Sequence, residues 1–167
     1  MQVEGATLTI SGALKSFLLD RKNVVVVGVG TPLRGDDGVG FFVAKRLQGK
    51  KTSNTVILPT TSPESVTGTI KKFYPSHVII VDSAFLGEPP GTVRVVEREK
   101  LLGSIVSTHK IPLGLVMDYL EASTGCKTIL VGVQPKNLGF GEDMSPEVRT
   151  AAEKLVETLE KVLAEGV

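Results

Sequence analysis

The residues best suited to chemistry are two adjacent carboxylates, Asp36 and Asp37, which follow an apolar run at Val24–Val27. Two further polar residues stand in similar places, since Asp82 ends a second apolar run and His109 follows a later strand-like segment. Two carboxylates and one imidazole suit a divalent transition metal that keeps open positions. A carboxylate in such a place could also act as a general base.

Helix capping is the main structural alternative for the aspartate pair. Aspartate is a good N-cap and suits the positive end of the helix dipole. Capping needs only one member of the pair and accounts more readily for Asp36 than for Asp37. Likewise, Asp82 alone could cap a loop, and His109 alone could be a solvated or hydrogen-bonded side chain.

A dinucleotide-binding turn is a second alternative, because Gly28 and Gly30 follow the strand. That motif requires G-x-G-x-x-G, but the next glycine, Gly35, comes five residues after Gly30. Two carboxylates at the start of the helix would also repel a phosphate. The spacing therefore argues against a nucleotide site.

Continuous apolar runs and helical spacings predict the elements that would position these residues. Strands are expected at 24–27, 55–58 (ended by Pro59), 77–81, 92–97 and 128–133, and helices at 12–20, 37–48, from Ser62, from about Pro112 to Gly125 and from Ser145 to Gly166. The segment 92–97 alternates in polarity, which indicates an edge strand with one wet face that could be antiparallel.

The element order predicts an α/β fold, a three-layer α/β/α sandwich with a five-stranded, mostly parallel sheet, in one domain spanning residues 1–167. In such a sheet Asp37, Asp82 and His109 could converge at the carboxyl edge. His77 begins its strand at the opposite edge and is interpreted as structural. Cys126, the only cysteine, excludes an intrachain disulfide and a multi-cysteine zinc site, and we interpret it as packing.

Composition excludes several classes of protein. The net charge is +1 and there are no basic runs, so no nucleic-acid partner is expected. No apolar stretch approaches the length of a membrane span, and the first residues lack the pattern of a signal peptide. We therefore expect a cytoplasmic protein with no membrane partner. Composition and spacing lead only to a metal-dependent hydrolase or a metal-binding protein.

Four segments, taken in order, carry a closer resemblance: GVGTPLRGDDGVG, IIVDSAFLGEPPGTV, STHKIPL and LVGVQPKNLGFGEDMSPEV. Together they resemble the [NiFe]-hydrogenase maturation endopeptidases over residues 24–163, which leaves 1–22 as an N-terminal extension. The THKIPL and GVQP segments are most similar to the branch that serves hydrogenases of the formate-hydrogenlyase kind. Two departures are Thr31, where the family usually has Asn, and Pro59-Thr60-Thr61, where members commonly carry glycines.

The resemblance implies a compact α/β/α fold and an endopeptidase that cuts a C-terminal extension from the hydrogenase large-subunit precursor after nickel insertion. It implies a metal site of Asp37, Asp82 and His109, and we assign Asp37 as the general base. The nickel would be carried by the precursor, with none tightly bound by the isolated protein, which we expect to be a monomer. The alternative is a nickel-sensing chaperone that binds the metallated precursor and cuts nothing.

Overall fold

Residues 9–50, 52–101 and 112–164 are described by a computed structural model of the chain. The helices are α1 (Ile10–Phe17), α2 (Val39–Leu47), α3 (Thr67–Lys72), α4 (Arg98–Leu101), α5 (Leu113–Thr124) and α6 (Pro146–Ala164). The strands are β1 (Val24–Val29), β2 (Thr55–Thr60), β3 (His77–Ser83), β4 (Val93–Val96) and β5 (Lys127–Val133). Two 3₁₀ segments, Pro32–Gly38 and Pro63–Val66, precede α2 and α3.

The five strands form one sheet in the order β2-β1-β3-β5-β4. Strands β1, β2, β3 and β5 run parallel, and β4 pairs with β5 in the antiparallel direction. The predicted five-stranded, mostly parallel sheet is therefore confirmed, as is the antiparallel edge strand. Because β1 and β3 lie inside the sheet, all their residues are buried, which explains their continuous apolar sequences.

Alternate residues of the strands enter two separate cores, one on each face of the sheet. Val24 and Val26 of β1 pack in the core that α1, α2 and α6 cover. Val25 and Val27 pack in the core that α3 and α5 cover. A strand residue alternates faces along the chain, so a run of valines serves both cores. This arrangement confirms the three-layer sandwich.

Strand β2 differs from its predicted bounds, because it continues through Pro59 to Thr60. Pro59 lies opposite Gly28 of β1. Proline has no N–H to donate, so it disrupts a strand that has hydrogen-bonded neighbours on both sides. Strand β2 lies at the edge of the sheet and has only one neighbour, so it tolerates Pro59. The proline was therefore wrongly interpreted as the end of the strand.

The connection after β1 also differs, because α2 begins at Val39 rather than at Asp37. The residues before it form the 3₁₀ segment Pro32–Gly38, which is kinked at Arg34 and Gly35. Both aspartates therefore lie in a tightly turned connection between β1 and α2. Within the described ranges, no helix is long and apolar enough to cross a membrane.

Candidate active site

Asp37 is held where β1 ends. Gly30 has a φ of 145°, and a Cβ on it would lie 1.8 Å from the carbonyl oxygen of Asp37, so only glycine allows this approach. The backbone N–H of Thr31 donates to Oδ2 of Asp37 at 3.1 Å. The Thr31 hydroxyl accepts from the N–H of Leu33, a capping role that asparagine could also fill. The departure at Thr31 therefore leaves the turn intact.

Asp82 lies on β3, the strand beside β1, and is completely buried. Its Oδ1 accepts from the backbone N–H of Ser83 at 2.8 Å. The hydroxyl of Ser83 points to Oδ1 of Asp37 at 3.5 Å. Ser83 thus contacts both carboxylates, and Asp37 and Asp82 both lie at the carboxyl edge of the sheet. Asp37 is almost completely buried as well.

His109, the third predicted ligand, lies outside the described residues. The described residues on the two sides of this gap lie close together. A Cβ on Gly114, in the first turn of α5, would lie 3.3 Å from Cβ of Leu101, the last described residue before the gap. Helix α5 then runs to Gly125 and into the first residue of β5. A helix that leads into the amino end of a strand begins toward the carboxyl edge, so the start of α5 lies toward the edge where Asp37 and Asp82 lie.

Within the ranges 9–50, 52–101 and 112–164, no group of three His, Cys, Asp or Glu side chains is placed to hold a metal ion. Asp37 and Asp82 are two of the three ligands that the sequence predicts, and the third, His109, lies outside the described residues. Further ligands would come from the segment 102–111 or from a bound partner. Carboxylate oxygens bind divalent cations, so the pair fits a metal that other groups complete.

Asp36 has a role that the sequence did not indicate. Its buried carboxylate accepts hydrogen bonds from the backbone N–H groups of Lys136 (2.8 Å), Asn137 (2.9 Å) and Ser145 (2.7 Å). The Ser145 hydroxyl lies 2.8 Å from Oδ2, and the N–H of Asp36 donates to the carbonyl of Asn137 at 2.8 Å. Asp36 therefore fastens the loop before α6 to the turn before α2.

The capping interpretation of Asp36 is accordingly wrong. The N-cap of α2 is Gly38, and no side chain caps that helix. The partners of Asp36 lie about a hundred residues further along the chain. The local sequence cannot predict partners so far along the chain. It does predict the end of strand β1, which both aspartates follow.

Two other reactive side chains lie away from this edge. His77, at the amino end of β3, places Nε2 3.0 Å from Asp20 and Nδ1 2.8 Å from the Ser76 hydroxyl, and its ring meets the edge of Phe17. Burial lowers the pKa of His77, and the hydrogen bond to Asp20 opposes part of that decrease. Burial raises the pKa of the Cys126 thiol, so it stays protonated and packs in the core.

Comparison with known proteins identifies the family. Residues 42–162 match the family described as HycI, hydrogenase maturation protease. The hydrogenase 3 maturation protease of Escherichia coli K12 is 30% identical over 138 residues, which cover 81% of this chain and 88% of that protein.

Solved structures of similar proteins share the fold of this chain. The crystal structure of HycI from Thermococcus kodakarensis KOD1 superposes with a TM-score of 0.85 and 35% identity, covering 92% of this chain and 99% of that one. HybD from E. coli shares the fold, with a TM-score of 0.69 and 24% identity over 83% of this chain and 90% of that one. The family match spans most of the sequence and includes strands β2 to β5 and helices α3 to α5, whereas β1 and the turn with Asp37 precede it. The chain therefore belongs to the hydrogenase maturation protease family and is a peptidase.

Proposed function

We propose that this peptidase removes the C-terminal extension of a [NiFe]-hydrogenase large-subunit precursor after nickel has been inserted. In this proposal Asp37, Asp82 and His109 grasp the nickel that the precursor already carries. The observation that supports it most directly is the contact of Ser83 with both carboxylates at the carboxyl edge of the sheet. The THKIPL and GVQP segments favour a precursor of the formate-hydrogenlyase kind.

The charge of the carboxylate pair supports a cationic partner. Carboxylate oxygens are ligands that divalent cations accept, and a cation bound at this edge of the sheet could contact both side chains. Two carboxylates and one imidazole still leave coordination positions open. The precursor's cysteine thiolates would fill those positions, so that the metal joins the two proteins.

The described residues on either side of His109 are compatible with this ligand set. Leu101 and Gly114 lie close together, and α5 begins toward the edge of the sheet where Asp37 and Asp82 lie. We propose that His109 acts together with the two carboxylates. Its role as a ligand remains a prediction.

Docking through nickel would place one peptide bond of the precursor beside Asp37, a proximity effect. In the proposed step Asp37 takes a proton from water, and the hydroxide forms a bond to the carbonyl carbon of the scissile peptide. The carbon–nitrogen bond then breaks, and the proton passes to the leaving amine. The nickel could polarise the same carbonyl oxygen.

Cleavage of nickel-loaded precursor by the purified protein tests this proposal. We expect the precursor to shorten by its C-terminal extension, as mass spectrometry would record, and the Asp37→Asn variant to produce no shortened chain. A stable complex with an uncut precursor would instead identify a nickel-sensing chaperone. Normal cleavage by well-folded Asp37→Asn would remove Asp37 from the catalytic role.

A further inference from the structure

Two large apolar side chains stand exposed beside the carboxylate site. Leu33 is 63% exposed and Phe140 is 75% exposed. The backbone joins them, because the N–H of Gly141 donates to the carbonyl of Leu33 at 2.8 Å. We call Leu33 and Phe140 the apolar rim.

The loop that presents Phe140 is fixed from within. In this loop, residues 136–145, the side-chain amide of Asn137 donates to Glu142 at 2.9 Å. The same side chain accepts from the N–H of Gly139 at 2.8 Å through its oxygen. These bonds close the loop on itself and leave Phe140 at its outer end.

The same loop is fastened from beneath by Asp36. Burying a carboxylate destabilises the folded state unless hydrogen bonds replace those to water. Residues Lys136, Asn137 and Ser145 of this loop donate such hydrogen bonds to Asp36. Gly35 contributes as well, because a Cβ there would lie 2.6 Å from the carbonyl oxygen of Asn137. A single exposed apolar residue needs no explanation. Here, however, a buried charge holds the loop in the conformation that keeps Phe140 next to Leu33.

The apolar rim is continuous with the proposed catalytic carboxylate. The Thr31 hydroxyl accepts from the N–H of Leu33 at 3.3 Å, and the N–H of Thr31 donates to Asp37. Leu33 lies in the same 3₁₀ segment as Asp37, and the loop that carries Phe140 is hydrogen-bonded to that segment, so both apolar side chains lie on the surface around Asp37. Aliphatic and aromatic surface of this kind favours an apolar partner group.

We propose that the apolar rim binds an apolar side chain of the hydrogenase precursor next to the scissile bond and so helps to select the peptide that is cut. This inference rests on the proposed function, because it takes the precursor as substrate and Asp37 as the catalytic residue. Binding of nickel would distinguish a metal-loaded precursor from an empty one, whereas the apolar rim would select the residues next to the scissile bond.

The test compares KM and kcat for cleavage of nickel-loaded precursor by the wild-type protein and three variants. Phe140→Ser should raise KM about tenfold, as loss of an aromatic anchor does, and leave kcat unchanged. Phe140→Leu keeps the apolar surface and should restore KM to near the wild-type value. The matched control is Leu19→Ser, which removes an 80% exposed apolar side chain beside Asp20 at the other end of the sheet.

The outcomes separate the two proposals. If wild-type protein does not cut the precursor, the proposed function fails and the inference fails with it. If the wild type cuts and Phe140→Ser shows an unchanged KM, or a lower kcat alone, only the inference is overturned. An equal increase in KM for Leu19→Ser would also overturn it, because the effect would then not belong to the rim.

Discussion

Asp36 and Asp37 are adjacent in sequence but meet opposite chemical surroundings. The partners of the Asp36 carboxylate are N–H and O–H donors on a distant loop. The partners of Asp37 include the backbone N–H of Thr31 and the hydroxyl of Ser83, both close to the end of a strand. The surroundings of Asp36 therefore suit a structural role, and a catalytic role for Asp37 is the proposal.

Asp36→Asn should destabilise the protein by about 2–4 kcal/mol. The amide group would face hydrogen-bond donors in either orientation, and buried donors would lose their acceptor. This exceeds the roughly 1 kcal/mol expected for a lost helix cap. Urea unfolding measures the change, and Ser145→Ala, which removes one hydroxyl but no backbone donor, should lose only about 1 kcal/mol. A loss for Asp36→Asn no larger than that of Ser145→Ala would contradict the role of Asp36.

Asp37→Asn should leave the free energy of unfolding within about 1 kcal/mol of wild type while it abolishes cleavage. The asparagine oxygen can accept from Thr31, and its amide can donate to the Ser83 hydroxyl, so the local hydrogen bonds survive. The same unfolding experiment measures it beside Asp36→Asn. A large loss of stability in this variant would show that Asp37 is a structural residue as well.

The sequence predicted that Asp37 and Asp82 lie at the carboxyl edge of the sheet, and it could not predict that the hydrogen-bond partners of Asp36 differ from those of Asp37. Asp37 and Asp82 follow apolar runs, and the run itself shows where each side chain must lie. The partners of Asp36 come from residues 136–145 and are set by tertiary folding. No local pattern contains that contact, so the structural alternative that the sequence offered for Asp36 was a helix cap.

At the scale of elements, the interior strands were the most predictable because they bury both faces. Strands β1, β3 and β5 each contain an apolar run, at 24–27, 78–81 and 129–131, and β4 alternates because it lies at an edge. The end of β2 was not predictable in this way. Whether Pro59 ends a strand depends on whether that strand has neighbours on both sides, which the local sequence does not state.

The junction of α1 with β3 predicts a pH dependence of stability. His77 faces Asp20, and the Nζ of Lys127 lies 2.9 Å from the same Asp20 carboxylate. Because the pKa of His77 is lowered in the folded protein, the unfolded chain takes up the proton first as pH falls below about 6.5. The contribution of His77 is therefore complete above that pH and decreases as pH falls toward the lowered value.

The free energy of unfolding, measured from pH 7 to pH 5, tests this expectation. Wild-type stability should decrease across the window, and His77→Gln should flatten the decrease because it removes the titrating group. Asp20→Asn should make the decrease larger, since Asp20 opposes the lowering of the His77 pKa. An equally steep slope in His77→Gln would assign the effect to another group.

At the scale of the whole molecule, the proposed catalytic residues and the structural residue His77 lie at opposite edges of the sheet. Asp82 lies at the carboxyl end of β3 and Asp37 in the turn after the neighbouring strand β1, while His77 lies at the amino edge of the same sheet. The carboxyl edge of a parallel sheet is predictable as the place for a site. The adjacency of β1 and β3 follows only from the folded order.

The isolated protein should contain far less than one nickel ion per chain. The expected ligands are two carboxylates and one imidazole, none of them a thiolate, so tight binding would need the precursor's cysteines. Elemental analysis of protein purified in metal-free buffer measures the content, and apo protein incubated with nickel and then passed over a chelating resin is the control. A stoichiometric ion that survives the resin would indicate a resident metal cofactor.

The most direct test of the account is the rate of cleavage of nickel-loaded and nickel-free precursor by the same protein in chelator-treated buffer. The account predicts that only the loaded precursor loses its extension, because an empty precursor gives Asp37, Asp82 and His109 nothing to hold. Equal rates for the two precursors would contradict the claim that nickel in the substrate is what this site recognises.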